Sequence, residues 1–192
     1  EGVCNPFSIN RDGITIGEGA AVFLMSREPS EVELLGVGET SDAHHISAPD
    51  PTGQGARNAM ALALASAGLE PDDICYINLH GTGTRLNDSM EALAVSQIFG
   101  SEISVSSTKP LSGHLLGAAG ATEAAFLWLA LHDAYDDLLP QHQWDGVEDP
   151  ELPKLRFVDG NQLAKIPRRS AMMSNSFAFG GSNACVLLGR GW

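Results

Sequence analysis

Short apolar runs, each ending in a turn rich in glycine, serine or threonine, alternate along this chain with longer stretches whose apolar residues recur at helical spacing. Ile74-Cys75-Tyr76-Ile77-Asn78-Leu79 and Ile103-Ser104-Val105-Ser106-Ser107 have the length and residue types of buried strands. Residues 171–174 and 184–188 read as two further strands around a glycine-rich turn, and residues 13–25 and 32–38 as two more, the latter interrupted by Gly36 and Gly38. Helical patterns cover 56–67, stopped by Gly68, then 89–99, stopped by Gly100, and 120–134, a stretch that His114 is expected to open. Residues 41–55 form a long polar loop of the kind that covers a site entrance, and 133–153 an acidic surface connection. Strands alternating with helices predict an α/β domain with a mixed sheet.

Polar chemistry gathers where predicted strands end, the usual place for catalytic groups on open α/β sheets. His80-Gly81-Thr82-Gly83-Thr84 follows the first run, and Lys109 with Gly113-His114-Leu115-Leu116-Gly117 follows the second. Asn175-Ser176-Phe177-Ala178-Phe179-Gly180-Gly181-Ser182-Asn183 is a turn whose backbone N–H groups can bind an oxyanion. Asp88 and Glu91 share one face of a helix start, where Asp88 can act as a cap and both favour the helix dipole. Lys109 is placed to pair with Glu123.

In order and spacing, these segments resemble the C-terminal half of the β-ketoacyl synthases, condensing enzymes of the thiolase superfamily. Pro6-Phe7, Arg11-Asp12-Gly13 and Gly17-Glu18-Gly19-Ala20 resemble the family's preceding segment, with Asn5 and Ser8 as departures from it. The resemblance covers nearly all of residues 1–192, expected as one C-terminal domain. It implies the C-terminal half of the thiolase-like αβαβα layered fold. It also implies that the nucleophilic Cys lies in an N-terminal half outside this chain, which alone is then inactive. Cys75 and Cys185, inside apolar runs, are expected to be inert, and Cys4 to lie in a loose loop.

The implied activity is decarboxylative Claisen condensation by a 3-oxoacyl-[acyl-carrier-protein] synthase, in fatty-acid, polyketide or aryl-polyene synthesis. His80 and His114 would donate Nε2–H to the enolate oxygen, with Lys109 as catalyst or electrostatic organiser. Phe179 would gate the acyl pocket and supply one oxyanion donor, and Ala178, where the family has glycine, would stiffen that loop. Thr82 and Thr84 would bind phosphopantetheine, with Asp88, Glu91 and Glu123 as support. Asn78, Glu91, Glu123, Ser174 and Asn175 match positions that in some relatives surround a buried monovalent cation. No other cofactor is implied. The implied partners are an acyl carrier protein, the N-terminal half and, for the complete protein, a second copy. Other readings are a noncatalytic partner of the chain-length-factor type, against which retention of both His and Lys argues, and a thiolase-like binding domain without chemistry.

Composition narrows the remainder. At 192 residues and 43% hydrophobic, the chain can build one sizeable core. A net charge of −13 argues against nucleic acid or an anionic membrane as partner. Three unevenly spaced cysteines argue against a disulfide framework or zinc site, which with the absence of a membrane-length apolar run leads us to expect a cytoplasmic protein. Arg57, Arg168 and Arg169 are local candidates for carrier docking, and His44-His45 lacks a third metal ligand.

Overall fold

The computed structural model describes residues 3–133, 138–160 and 166–192. Its elements in chain order are β1 (Glu33–Ser41), α1 (Gln54–Ala67), β2 (Ile74–Asn78), α2 (Arg85–Phe99), β3 (Ser104–Ser106), α3 (Lys109–Ser112), α4 (Ala119–Leu131), β4 (Arg156–Phe157), β5 (Ser170–Ala178) and β6 (Ser182–Arg190). The strands form one sheet in the order β1-β6-β5-β2-β3-β4. β6 runs antiparallel to both its neighbours, β1 and β5, whereas β5, β2, β3 and β4 run parallel, so the sheet is mixed as expected.

Helices cover both faces, which is why the central strands read as nearly continuous apolar runs. Neighbouring residues along a strand point to opposite faces. Ile77, Met173 and Leu187 join the core packed by Ala59, Met60 and Ala63 of α1 and Met90 and Val95 of α2. Tyr76, Met172 and Leu188, each one residue away, join the core packed by Leu127 and Leu131 of α4. The glycines that interrupt the first strand pattern have a packing reason. A Cβ on Gly38 would lie 2.0 Å from the carbonyl oxygen of Ala59, so β1 and α1 meet there backbone to backbone.

Residues 13–25 are not a strand. Among the described residues no ladder runs beside them: Ile16 makes one isolated bridge, to His114, while Val22 and Leu24 are 95% and 98% exposed. Extended backbone becomes a strand only when a neighbour takes its N–H and C=O groups. Nor does His114 open a helix. It bridges to Ile16, a single 3₁₀ turn follows, and α4 begins at Ala119. Helix α2 starts four residues before the expected 89, with Thr84 in extended conformation before it. The stretch expected as a surface connection, where described, is partly interior, because Leu139, His142 and Asp149 are buried. Residues 134–137 of that stretch lie outside the described residues.

Adding one methyl at Gly38 therefore forces two backbones apart. We expect Gly38→Ala to lower the unfolding free energy by about 1–3 kcal/mol, read as an earlier urea midpoint at unchanged slope. Gly117→Ala, whose Cβ meets nothing within 4 Å, should leave the midpoint near that of the parent.

Candidate active site

The carboxyl end of β2 delivers His80 into the interior, where the backbone N–H groups of its loop need acceptors. Helix α2 supplies them. Glu91 accepts from His80 N and Gly81 N, both at 2.8 Å, and Asp88 accepts from Thr82 N at 3.1 Å and Phe7 N at 2.8 Å. Asp88 thus holds a loop six residues before it and makes no cap bond to its own helix. Burial pushes the Asp88 carboxyl up to about 6 and that of Glu91 up to about 7, against the N–H donors that favour the charged forms.

Lys109 opens α3 just beyond β3 and is fully buried. Its ammonium pairs with Glu123 of α4 at 2.5 Å and lies 3.4 Å from His80 Nδ1. An ammonium only donates, so Nδ1 of His80 is an acceptor and the ring proton sits on Nε2. At His114 the backbone N–H of Leu116 donates into Nδ1 at 3.2 Å, placing that proton on Nε2 as well. The two rings meet edge to face with centroids 5.3 Å apart. Burial, followed by the charge of Lys109, holds His80 well below the usual imidazole range and His114 down to about 4. Both are neutral Nε2–H donors at pH 7.

The backbone of His114 is set from the chain's first residues. Its N–H donates to Thr15 O at 2.7 Å, and its C=O accepts from Gly17 N at 3.1 Å. This contact requires glycine on both sides, since a Cβ on Gly17 would lie 2.0 Å from Ser112 O and one on Gly113 would lie 2.5 Å from the Cα of Gly17. Ser107 links the other components: its hydroxyl donates to Gly81 O at 2.7 Å and accepts from Lys109 N at 3.3 Å.

Thr82 and Thr84 do share one side, with hydroxyl oxygens 2.8 Å apart. Phe179 is 78% exposed at the turn between β5 and β6. The loop 41–55 braces that turn: Asp42 N donates to Gly181 O, Gly180 N donates to Ile46 O, and Asn183 Nδ2 donates to Asp42 Oδ1. Ala178, at φ −115 and ψ 162, has extended backbone that any residue adopts, so its methyl adds no backbone strain.

The five expected cation residues divide into two groups. Both oxygens of Glu91 are taken by backbone N–H groups, and Asn175 donates to Glu91 and accepts from the Cys185 thiol. In contrast, Asn78 Oδ1, Ser174 Oγ and Glu123 Oε2 are buried without a hydrogen-bond partner. Asn78 and Ser174 are register partners on β2 and β5. Neutral and carboxylate oxygens of this kind suit a hard cation. Among the described residues no group of three or more His, Cys, Asp or Glu could hold a metal.

Burial pushes the Cys75 thiol up to about 11 and drives that of Cys185 well above its ordinary value, as befits inert cysteines. Cys4 is buried, with its N–H bonded to Thr15 Oγ1, and does not lie in a loose loop. Arg57 is engaged with Thr52, Gln54 and Gln97, and Arg169 lies over the Trp192 ring at 3.9 Å, while Arg168 is exposed. His45 receives the N–H groups of Ser47 and Ala48 and closes a turn.

Sequence reading missed Thr15, Ser107, Asp42 and Asn183, which act through backbone groups or hold other loops. Gly17 had a visible signal, standing in a Gly-Glu-Gly run, but nothing in that run pointed to His114.

The profile of the family "Beta-ketoacyl synthase, C-terminal domain" matches residues 32–141. The chain belongs to the β-ketoacyl synthase family. It is 42% identical to the mitochondrial 3-oxoacyl-[acyl-carrier-protein] synthase of Arabidopsis thaliana, over 95% of this chain and 41% of that protein. It is 40% identical to the 3-oxoacyl-[acyl-carrier-protein] synthase 2 of Staphylococcus aureus, over 97% of this chain and 48% of that one. Among solved structures it resembles the ketosynthase (ApeO) in complex with its chain length factor (ApeC) from Xenorhabdus doucetiae. That match has a TM-score of 0.86 and 46% identity, over 98% of this chain and 46% of that chain. The chain thus aligns with the C-terminal half of these synthases and spans about half the length of the curated relatives it matches. The α/β architecture is the thiolase fold of these ketosynthases. Among the described residues, no helix is long and apolar enough to cross a membrane.

The electrostatics of this β-ketoacyl synthase site are open to titration. In the full-length protein we expect the His114 ring to titrate near pH 4, and His80 well below the usual imidazole range, by side-chain ¹⁵N NMR. Lys109→Met removes the positive charge that disfavours imidazolium, so both midpoints should move upward. Midpoints near 6.5 in the parent would contradict the buried geometry.

Proposed function

We propose that this chain is the C-terminal half of a 3-oxoacyl-[acyl-carrier-protein] synthase that catalyses decarboxylative Claisen condensation of a malonyl-carrier with an acyl thioester. The observation that carries this reading is the paired tautomer. His80 and His114 each have Nδ1 occupied as an acceptor, leaving two Nε2–H donors on rings 5.3 Å apart.

In this reading, decarboxylation breaks the bond between the malonyl α-carbon and its carboxylate, and carbon dioxide leaves. The electron pair is delocalised as an enolate whose oxygen accepts both Nε2–H groups. Preorganised donors at developing charge are worth about 3–4 kcal/mol each in a dry site. The α-carbon then attacks the carbonyl of the acyl group held on a Cys in the other half of the protein, and that thiolate leaves. Neither histidine need change protonation, which suits rings held neutral by burial and Lys109. Lys109 organises the site, by donating to His80 Nδ1 while paired with Glu123.

Phe179 would gate the acyl pocket, with its N–H supplying part of an oxyanion hole, and Thr82 and Thr84 would hydrogen-bond the carrier's phosphopantetheine arm. Asn78, Ser174 and Glu123 would hold a monovalent cation, whose charge would offset that of Glu123 beside Lys109. The partners would be an acyl carrier protein, the N-terminal half and a second synthase-like subunit, in the cytoplasm. The pathway could be that of fatty acids, polyketides or aryl polyenes. Likeness to a ketosynthase in complex with its chain length factor supports a second synthase-like subunit as partner.

The test uses the full-length protein with malonyl-carrier and follows carbon dioxide release. His80→Ala and His114→Ala should each lower kcat by about 10²–10³-fold with little change in KM. Decarboxylation that survives both substitutions at the parent rate would sink the assignment. An inert parent would turn the reading towards a noncatalytic partner.

A further inference from the structure

His142 lies outside every motif considered so far, in a stretch whose sequence reads as a surface connection. It is buried in an aromatic cage, stacked on Phe157 at 4.3 Å between centroids and flanked by Trp144 and Phe7. Packing alone would be met by phenylalanine or leucine. Instead, both ring nitrogens have partners. Nδ1 accepts from Ser107 N at 3.1 Å, and Nε2 lies 3.1 Å from Pro6 O. A carbonyl only accepts, so Nε2 carries the proton and the tautomer is fixed from both sides.

Those two partners lead to the candidate site by separate routes. Ser107, held at its N–H, uses its hydroxyl to hold Gly81 O and to receive Lys109 N. Gly81 is therefore gripped on both sides, at its N–H by Glu91 and at its C=O by Ser107. Pro6 precedes Phe7, whose N–H is held by Asp88 and whose ring lies so close to Gly81 that a Cβ there would be 3.0 Å away. The ring of His142 is itself tethered through its own chain: His142 N donates to Val158 O, and Val158 N to Val105 O of the β3 strand segment.

We propose that His142 is a positioning residue for this site, a neutral strut that fixes Ser107 and through it both the His80 loop and the backbone of Lys109. The inference rests on the condensing activity proposed above. Burial, which pushes the His142 imidazole down to about 4, agrees with a ring that is neutral at pH 7. The strut acts at a distance where small errors matter, since a misplacement of about 1 Å can cost roughly 10²-fold in rate.

The experiment compares three variants of the full-length synthase. His142→Leu keeps bulk and removes both polar contacts. His142→Asn puts an amide oxygen where Nδ1 accepts from Ser107. Ser107→Ala leaves the cage intact and removes the hydroxyl that reaches Gly81 and Lys109. We expect His142→Leu to lower kcat for malonyl-carrier decarboxylation by about 10²-fold at unchanged KM and to shift the His80 side-chain ¹⁵N resonances. His142→Asn should recover most of the rate, and His142→Leu combined with Ser107→Ala should be far from additive.

The proposal is overturned if His142→Leu lowers the melting temperature alone, leaving kcat and the His80 resonances unmoved, or if His142→Asn is as impaired as His142→Leu. Should His142→Leu not fold, Ser107→Ala decides: parent-like kcat and His80 resonances there overturn the strut. If the parent shows no decarboxylation, the functional reading fails, and the His80 resonances of His142→Leu or Ser107→Ala still decide the positioning role.

Discussion

The carboxylate of Glu91 is the point on which the candidate site depends. A strand that ends in the interior leaves backbone N–H groups with no ladder and no water, and each unpaired one costs about 1–3 kcal/mol. Here His80 and Gly81 solve that problem with a single side chain from α2, which also receives Asn175 of β5. One group therefore ties together the end of β2, the second helix and the strand that leads to Phe179. Asp88, one turn earlier, repeats the device for Thr82 and Phe7. Because these acceptors lie on a helix packed in the core, the His80 loop is held from the interior at three successive N–H groups.

From that constraint follows the electrostatic character of the site. Lys109 is a buried cation whose partner, Glu123, lies on another element, and such pairs are weak contributors to stability. Its proximity to His80 Nδ1 gives it another effect: it fixes a tautomer and adds to burial in keeping the ring uncharged. His114 reaches the same tautomer by a different route, through a backbone N–H at Leu116 whose φ of 52 is costly for a side-chain-bearing residue. Two histidines with the same protonation pattern, obtained from unrelated donors, are more informative than either imidazole alone.

Much of this was legible in the sequence where local pattern and chemistry coincide. The strands around Tyr76, Val105 and Met173, the helices stopped by Gly68 and Gly100, and the gathering of His80, Lys109 and His114 all follow from apolar runs that end in glycine-rich turns. Residues 13–25 show the limit. Their alternation is that of a strand, but a strand is defined by a partner, and among the described residues their backbone partners are confined to those of Gly13, bonded to Gly83, and of Thr15–Gly17, in the loop of His114. The pattern over 32–38 does form a strand, β1, in spite of Gly36 and Gly38, and Gly38 has its reason in the close approach of α1. Ser107 and His142 were invisible because their roles lie in contacts with segments tens of residues away.

The structural unit that forms the site is not the segment matched by the family profile. That match spans 32–141, and it contains both imidazoles, Lys109 and their carboxylate partners. Several of the groups that orient them come from outside it. Thr15 and Gly17 set the backbone of His114, Phe7 closes on Gly81, and Asn175 and Asn183 hold Glu91 and the loop behind Phe179. Residues within 32–141 therefore carry both imidazoles and the buried lysine, while flanking residues on both sides complete the contacts that fix where those groups point. A segment that retained only the matched residues would keep His80 and His114 but lose the contacts that hold His114 against Gly17. Because the proposed chemistry needs two donors converging on one oxygen, that loss of orientation would remove the advantage of having two.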